Sequence, residues 1–351
     1  MLATLVLRHH AAWRILGNWE SGLLAKRLAD VPVDRPVFIA GLARAGTTIL
    51  LRKLCELPGF ASHRYSDFPF LFTPYLWAQL RRLMPAGRQA PRERMHKDGI
   101  MVTAESPEAM EEVLWMAFFP HLHDPARSNL LDENVRCPEF ESFLADHIRK
   151  LILARGGERY VSKNNYNLTR LSYLARIFPD ARFLLPIRAP AAHVASLMKQ
   201  HDLFCRIQRG SAAARSHLRL VGHFEFGLDR RPINPGDRNA VAAIEDCWRR
   251  GEDARGWAKY WAAMYRHVAD RLEADAELAG RCLPVRYEDL CDHAPRTLNA
   301  ICTHLRLGPT PAERLAAGLR QPDYYVPRFT DDERAAIAEE TAEVAQRFGY
   351  A

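Results

Sequence analysis

The stretch GLARAGTT, Gly41–Thr48, decides the fold of this chain. It follows the apolar run PVFIAG, which is typical of a buried strand, and leads into TTILLRKLCEL, which is typical of a helix. Two glycines five residues apart between a strand and a helix have the spacing of a phosphate-binding loop. In such a loop, backbone N–H groups curl around an anion at the positive end of the helix. The sequence therefore predicts an anion site.

The loop differs from that of a nucleotide triphosphatase in one respect. Thr47 stands where such enzymes carry the lysine that reaches the β- and γ-phosphates. The cation of this loop is instead Arg44, and hydroxyls stand at Thr47 and Thr48. The loop keeps the groups that hold a phosphate but lacks a standard part for a metal-bound triphosphate. A P-loop kinase-like ATP phosphotransferase therefore stays open only as an alternative.

Strands and helices alternate along the rest of the chain. The runs RYVSK, RFLLPI and RCLPVRY predict buried strands, and a helical pattern follows each of them. This alternation predicts an α/β fold with a central, mostly parallel sheet flanked by helices.

Two further stretches predict helices. SPEAMEEVLWMAFF predicts a helix capped by Ser106, which would place three acidic residues on one face. Residues 240–277 predict one long helical stretch. We interpret the aromatic stripe along it as core packing; its members are Trp248, Trp257, Trp261 and Tyr265.

A second anion site is indicated by RFLLPIRAPAAHVASLMKQH. Arg188 lies at the carboxyl end of a predicted strand, and Ser196 lies eight residues further on, two turns into the next helix. Ligands bind at the carboxyl ends of strands in open α/β sheets. An arginine there indicates an anion, whereas an acid would indicate magnesium. A surface arginine is the simpler interpretation of Arg188 taken alone.

Together these motifs resemble the PAPS-dependent sulfotransferase family, in its bacterial-type branch. RAGTT resembles the segment that holds the 5′-phosphosulfate, and Arg188 with Ser196 resembles the pair that holds the 3′-phosphate. Lys163 stands where the family often places a lysine that contacts the transferred sulfuryl group. VRYEDL, with Tyr287, resembles the segment whose tyrosine lies near the adenine.

The resemblance implies a P-loop NTPase-like sulfotransferase fold with helical insertions. It implies metal-independent, in-line transfer of a sulfuryl group from PAPS to an acceptor hydroxyl or amine, with PAP as the product. We expect a helical segment over 1–34 and one domain over 35–351, with acceptor-side insertions at about 60–140 and 201–240. The implied donor-binding residues are Arg44, Ala45, Gly46, Thr47, Thr48, Arg188, Ser196 and Tyr287.

The chain departs from the family at the general base. Cytosolic members carry a catalytic histidine two residues after the lysine, where this chain has Asn165, and an amide cannot accept a proton near neutral pH. We therefore predict a carboxylate base, with Asp67 and Glu111 ranked equally beside Lys163 and Arg44 as catalytic residues. The weaker candidates are Glu105, Glu108, Glu112 and His63. Ala189 replaces an aspartate that many members have, so one local polar contact is missing.

Composition limits the classes that remain. The 351 residues are 48% hydrophobic, which is enough for a large core, and the net charge of +7 favours an anionic partner. A nucleic-acid binding module is the third hypothesis, but no nucleic-acid motif supports it. The seven scattered cysteines lack a CxxC pair, so we expect unpaired thiols in a reducing compartment and no metal site.

The N-terminal segment leaves two alternatives open. No apolar run approaches the roughly 20 residues that span a bilayer, and no signal-peptide core is present. An amphipathic helix packed on the domain is the first interpretation. Peripheral membrane contact is the second, because Trp13 and Trp19 lie among basic residues. We expect a cytoplasmic enzyme, with peripheral membrane contact as the alternative, whose acceptor is a carbohydrate or another small molecule; the oligomeric state stays open.

Overall fold

The computed structural model describes residues 6–84, 90–308, 312–319 and 328–350. A five-stranded sheet forms its centre, and its strands are β1 (Val37–Ile39), β2 (Phe60–Ala61), β5 (Arg159–Lys163), β6 (Arg182–Ile187) and β7 (Cys282–Arg286). Their spatial order is β2-β5-β1-β6-β7, and every neighbouring pair is parallel. The predicted central parallel sheet is confirmed. A small antiparallel hairpin pairs β3 (Arg92–Glu93) with β4 (Met101–Val102).

Helices cover both faces of this sheet. Those that precede β5 are α1 (His10–Leu23), α2 (Ala25–Ala29), α3 (Thr47–Cys55), α4 (Pro74–Leu83), α5 (Glu112–Phe118) and α6 (Pro138–Arg155). Those between β5 and β7 are α7 (Leu171–Ile177), α8 (Pro190–Gly210), α9 (Ala212–Leu220), α10 (Arg238–Arg249), α11 (Asp253–Ala274) and α12 (Ala276–Arg281). Those after β7 are α13 (Tyr287–Asp292), α14 (Ala294–His304), α15 (Ala312–Ala316) and α16 (Asp331–Arg347).

The core lies on both faces of the sheet because successive strand residues face opposite sides. Phe38 of β1 belongs to the larger apolar cluster, in which its ring stacks on Phe183 at 5.9 Å. Val37 and Ile39 belong to the cluster on the other side, with Leu50 of α3. All three β1 side chains are fully buried, as expected for a central strand of a parallel sheet.

The aromatic stripe is core packing, as predicted. Trp257, Trp261 and Tyr265 of α11 are at most 1% exposed, and Tyr265 donates a hydrogen bond from its hydroxyl to the Pro186 carbonyl at 3.1 Å. The prediction of one long helical stretch over 240–277 is wrong, because the helix is interrupted between α10 and α11. Gly251, with φ of 78°, takes the left-handed conformation at this break.

The helix predicted from Ser106 begins later, at Glu112. The preceding residues pair with the chain after β2 instead: Tyr65 N donates to the Ser106 carbonyl at 3.1 Å, and Glu108 N donates to the His63 carbonyl at 3.1 Å. This strand-like pairing satisfies the backbone in place of a first helical turn. Glu108 therefore does not share a helical face with Glu111 and Glu112.

Candidate active site

The glycine loop joins β1 to α3 at the carboxyl edge of the sheet. Gly46 precedes the first residue of α3 and has a φ of 96°, a conformation that glycine adopts without strain. Gly41 packs against β6, since a Cβ there would lie 2.8 Å from the Pro186 carbonyl oxygen. Thr47 and Thr48 are buried in the first turn of α3. The loop therefore joins a strand to a helix as predicted and is closely packed; its role as an anion site stays a prediction.

Arg44 connects this loop to the second predicted anion segment. Its backbone is left-handed, with a φ of 76°, and its Nε donates a hydrogen bond to Ser196 Oγ at 3.3 Å. Ser196 lies in α8, which begins just after β6. Two segments 152 residues apart in sequence thus meet at one edge of the sheet.

Arg188 and Tyr287 lie beside the glycine loop. Arg188 follows β6 directly, and its guanidinium carbon lies 4.9 Å from the centre of the Tyr287 ring. That ring packs on the loop so closely that a Cβ on Gly46 would lie 2.6 Å from Tyr287 Cδ2. The predicted donor-binding residues are therefore neighbours.

Lys163, the last residue of β5, is held by a carboxylate. Its Nζ lies 2.8 Å from Glu108 Oε1, while Tyr65 donates a hydrogen bond to Glu108 Oε2 at 2.6 Å. Burial would raise the pKa of Glu108, but the charges of Lys163 and Arg94 outweigh it and lower this pKa to about 2. Glu108 is thus an anion that fixes Lys163 in place.

A cavity of about 720 Å³ lies beside these groups. Arg44, Thr47, Thr48 and Lys163 line one part of it. Much of the remaining wall is apolar and comes from the two regions predicted as insertions; it includes Phe68, Met95, Met110, Val113, Phe204, Leu218, Val221 and Phe226. The cavity therefore joins the phosphate-binding loop to a space large enough for a second substrate.

Asp67 lies outside the lining of this cavity. It is 2% exposed, and its carboxylate contacts Arg155, His63 Nδ1 at 3.2 Å and the Arg64 backbone N–H at 2.8 Å. Burial would raise its pKa, but the hydrogen bond and charge of His63 and the charge of Arg155 lower it to about 2. These contacts give Asp67 a structural role.

Glu111 also lies outside the cavity lining. It is 2% exposed and accepts a hydrogen bond from the Tyr160 hydroxyl. Burial raises its pKa. The assignment of Asp67 or Glu111 as the base stays a prediction, and the surroundings of both favour structural roles.

Two residues of the site were missed in the sequence. Arg94 donates from Nη1 to Thr48 Oγ1 at 3.0 Å and from Nε to Asp98 Oδ1 at 2.9 Å, and Asp98 Oδ2 also accepts from Arg44 Nη1 at 2.6 Å. Arg94 is 7% exposed, although it belongs to a stretch rich in basic residues, 81–97. Residues 85–89 of that stretch lie outside the described residues. No local pattern distinguishes Arg94 from its basic neighbours.

Within residues 6–84, 90–308, 312–319 and 328–350, no group of three or more histidine, cysteine, aspartate or glutamate side chains is arranged to hold a metal ion. The cations of the site are protein side chains: Arg44, Arg94, Lys163 and Arg188.

A parallel α/β sheet, a glycine loop at its carboxyl edge and clustered cations are the features of an α/β protein with a phosphate-binding loop. The family model described as "Sulfotransferase family" matches residues 36–218, just over half of the chain. The chain therefore belongs to the sulfotransferase family. The general reaction of this family is PAPS-dependent sulfuryl transfer.

Individual relatives agree with this family. Two similar proteins are the omega-hydroxy-beta-dihydromenaquinone-9 sulfotransferases Stf3 of Mycobacterium bovis and Mycobacterium tuberculosis; each is 23% identical over 378 residues, covering 97% of this chain and 86% of the relative. Among solved structures, sulfotransferase STF9 of Mycobacterium avium matches with a TM-score of 0.54 and 16% identity, over 95% of this chain and 82% of that one. The structural match supports the fold alone.

Proposed function

We propose that this sulfotransferase takes PAPS as its donor and transfers the sulfuryl group to an acceptor hydroxyl (or amine), releasing PAP. The contact between Arg44 and Ser196 carries the proposal. It joins the loop suited to a 5′-phosphosulfate to the segment suited to a 3′-phosphate. A donor with phosphates at both ends of its ribose fits this pair of sites.

The residues present fit such a nucleotide. Arg188 Nε is buried and makes no hydrogen bond within the described part of the chain, so one guanidinium N–H is left for an anion. The approach of Tyr287 to Gly46 supplies an aromatic face beside the loop. Both features suit an adenine nucleotide whose phosphates lie on the loop.

Each residue then has a defined task. When bound, PAPS supplies an activated sulfuryl group with a phosphate as its leaving group. Thr47 and Thr48 donate hydrogen bonds to the 5′-phosphate from the start of α3, where backbone N–H groups also favour an anion. Arg188 and Ser196 hold the 3′-phosphate. Arg44 and Lys163 neutralise charge that develops during transfer, which is the main contribution that a protein makes to such a reaction.

Arg44 and Lys163 are paired with carboxylates in this structure. Arg44 contacts Asp98, and Lys163 contacts Glu108. An anionic donor competes with these carboxylates for the same cations. Asp98 and Glu108 therefore hold the two side chains near the loop until a donor binds.

The donor is tested by titration calorimetry with PAP, beside ATP with Mg²⁺. We expect Arg188→Ala to weaken PAP binding by at least about 10-fold, because hydrogen bonds to charged groups contribute about 1.5–3 kcal/mol. Arg182→Ala is the matched control, since Arg182 starts the same strand at its opposite end. Tight, Mg²⁺-dependent ATP binding with no PAP binding would instead establish the kinase-like alternative.

We propose further that the acceptor is a largely apolar small molecule and that the enzyme binds it at a membrane surface. The apolar cavity wall supports the first part. The name of the similar Stf3 proteins gives a menaquinone-derived alcohol as their acceptor. Helix α1 supports the second part: Ile15, Leu16, Trp19 and Leu23 are between 42% and 69% exposed and lie along one face.

The surroundings of α1 fit an anionic lipid surface. Arg8, Lys26 and Arg27 are exposed near its ends, whereas Glu20 on its inner face is buried against Lys150. Trp13 packs in the same cluster as Phe68, whose side chain lines the cavity. Across the described residues, none of the helices has the length and apolar character needed to cross a bilayer. Contact would therefore be peripheral.

This contact is tested with vesicles of phosphatidylglycerol that contain a long-chain alcohol. We expect Trp19→Ser with Leu23→Ser to reduce co-sedimentation by about 10-fold or more, because each side chain loses apolar burial of about 1.5–3 kcal/mol. Leu228→Ser is the control, as Leu228 is an exposed apolar residue of the 201–240 region. Equal sedimentation of both variants and the parent would contradict membrane contact through α1.

A further inference from the structure

Three polar side chains on the cavity wall form a connected series. Asn165 Nδ2 donates a hydrogen bond to Glu225 Oε1 at 2.7 Å, and His223 Nδ1 lies 3.1 Å from Glu225 Oε2. Each carboxylate oxygen therefore has a nitrogen partner. All three residues line the same cavity as Lys163. No contact described so far accounts for this series.

The series lies in the same cavity as Lys163, and Asn165 is close to Lys163 along the chain. Asn165 comes two residues after Lys163, at the first turn that follows β5, in the position where cytosolic relatives of the family carry their histidine. His223 and Glu225 come from the segment after α9. Asn165 thus reaches across to a carboxylate from a distant part of the chain, 60 residues away.

Two hydrogen bonds and one ring contact hold the segment that carries His223 in place. The Tyr166 hydroxyl donates to the Gly222 carbonyl at 3.1 Å, and Arg231 N donates to the Phe224 carbonyl at 2.9 Å. The His223 ring stacks on Phe204, with centroids 4.9 Å apart and planes 14° apart. A base must be held in a defined orientation, and these contacts provide one.

We propose that His223 is the general base of this sulfotransferase, that Glu225 orients its ring, and that Asn165 positions Glu225. The assignment rests on the function proposed above. With Nδ1–H directed to Glu225, the lone pair of Nε2 is left for the acceptor. As the acceptor oxygen attacks sulfur, the new O–S bond forms and the S–O bond to the 5′-phosphate breaks. The electron pair leaves with the phosphate, and the acceptor proton passes to His223 Nε2.

His223 Nδ1 and Glu225 Oε2 lie 3.1 Å apart, without the alignment of a full hydrogen bond. Catalytic hydrogen bonds in unliganded enzymes are commonly loose and tighten when substrates bind. The other titratable groups that face His223 are His96, whose ring centroid is 5.7 Å away, and His217. Burial, together with the charge of Arg94, lowers the pKa of His96, so that ring is neutral beside His223.

The carboxylates considered earlier are less suited to this role. Glu108 lines the cavity, but its pKa of about 2 and its contact with Lys163 make it a weak base. Asp67 and Glu111 lie outside the cavity lining. A base is most effective when its pKa lies near the working pH, which favours a histidine.

His223→Ala tests the base directly. We expect kcat to fall by about 100-fold and free imidazole to restore part of it, while the Kd of PAP by calorimetry stays within about threefold. Unchanged kcat, or lost kcat without any recovery in imidazole, would overturn the role. If PAP fails to bind even the parent enzyme, the proposed donor is wrong, and that failure is distinct from failure of the base.

Glu225→Gln and Asn165→Ala test the positioning residues. We expect each to lower kcat by about 10-fold with little change in the KM of the acceptor. In the ¹⁵N spectrum of labelled histidine, we expect Glu225→Gln to remove the Nδ1–H tautomer signal assigned to His223 by its loss in His223→Ala. An unchanged tautomer signal would overturn the role of Glu225. Loss of kcat in Asp67→Asn or Glu111→Gln, with folding intact, would return the base to those carboxylates.

Discussion

Replacing Lys163 with alanine should lower kcat for sulfuryl transfer by about 10³-fold. A preorganised donor directed at charge that develops in the transition state contributes a factor of about 10²–10³ by itself, and a formal positive charge places Lys163 at the upper end. Lys163 lines the cavity beside Arg44 and Thr47, at the carboxyl end of β5. Because its task is confined to the transferring group, we expect the Kd of PAP to change by no more than about threefold.

This substitution also leaves Glu108 buried without its closest cation. Removing one partner of a buried ion pair destabilises a protein by up to about 3–5 kcal/mol, and the effect is smaller here because Arg94 Nη1 still lies 3.7 Å from Glu108. Lys163→Ala alone therefore mixes a catalytic effect with a folding effect. Lys163→Ala combined with Glu108→Gln is therefore the informative variant, with Glu108→Gln alone as its control. We expect the double variant to recover thermal stability while kcat stays low. Recovery of kcat together with stability would show that Lys163 acts only as the partner of Glu108.

The sequence predicted which segments meet at the glycine loop, because each of these segments is short and contiguous. The glycine loop, Arg188 and Tyr287 each follow the carboxyl end of a strand. Each of these strands can be recognised in the sequence as an apolar run. Once those strands are parallel neighbours, their carboxyl ends must meet at one edge. The contact of Arg44 with Ser196 follows from that topology.

The arrangement of the other cavity walls depends on long-range packing, which local sequence patterns do not reveal. Asp67 lies at a distance along the chain from the loop that suits a catalytic acid. In the structure, however, its carboxylate contacts Arg155 of α6 and does not line the cavity. Local propensity favours a helix that begins at Ser106. In the structure this segment pairs with the chain around Tyr65 instead, and Glu108 contacts Lys163. Glu225 is brought to Asn165 by the folding of an insertion that carries no family motif.

Replacing Gly46 with alanine should weaken PAP binding by roughly 100-fold. Two effects add at this position. A φ of 96° is strained for a residue with a side chain, which costs roughly 1–2 kcal/mol. The new Cβ would also lie 2.6 Å from Tyr287 Cδ2, and overpacking of this kind costs about 1–3 kcal/mol. Relief of the contact moves either the ring or the loop amides, and both belong to the proposed donor site.

Gly251→Ala separates the two effects. Gly251 has a φ of 78° at the break between α10 and α11, and no atom lies within 4 Å of a Cβ built there. It therefore reports backbone strain without a steric contact. We expect Gly251→Ala to lower the free energy of unfolding by roughly 1–2 kcal/mol and to leave the Kd of PAP unchanged, measured by denaturant unfolding and calorimetry. If Gly46→Ala proves equally mild in both measurements, the approach of Tyr287 to the loop has no part in holding the donor. If it weakens PAP binding far more than it lowers stability, the close packing of ring and loop is itself part of the binding site.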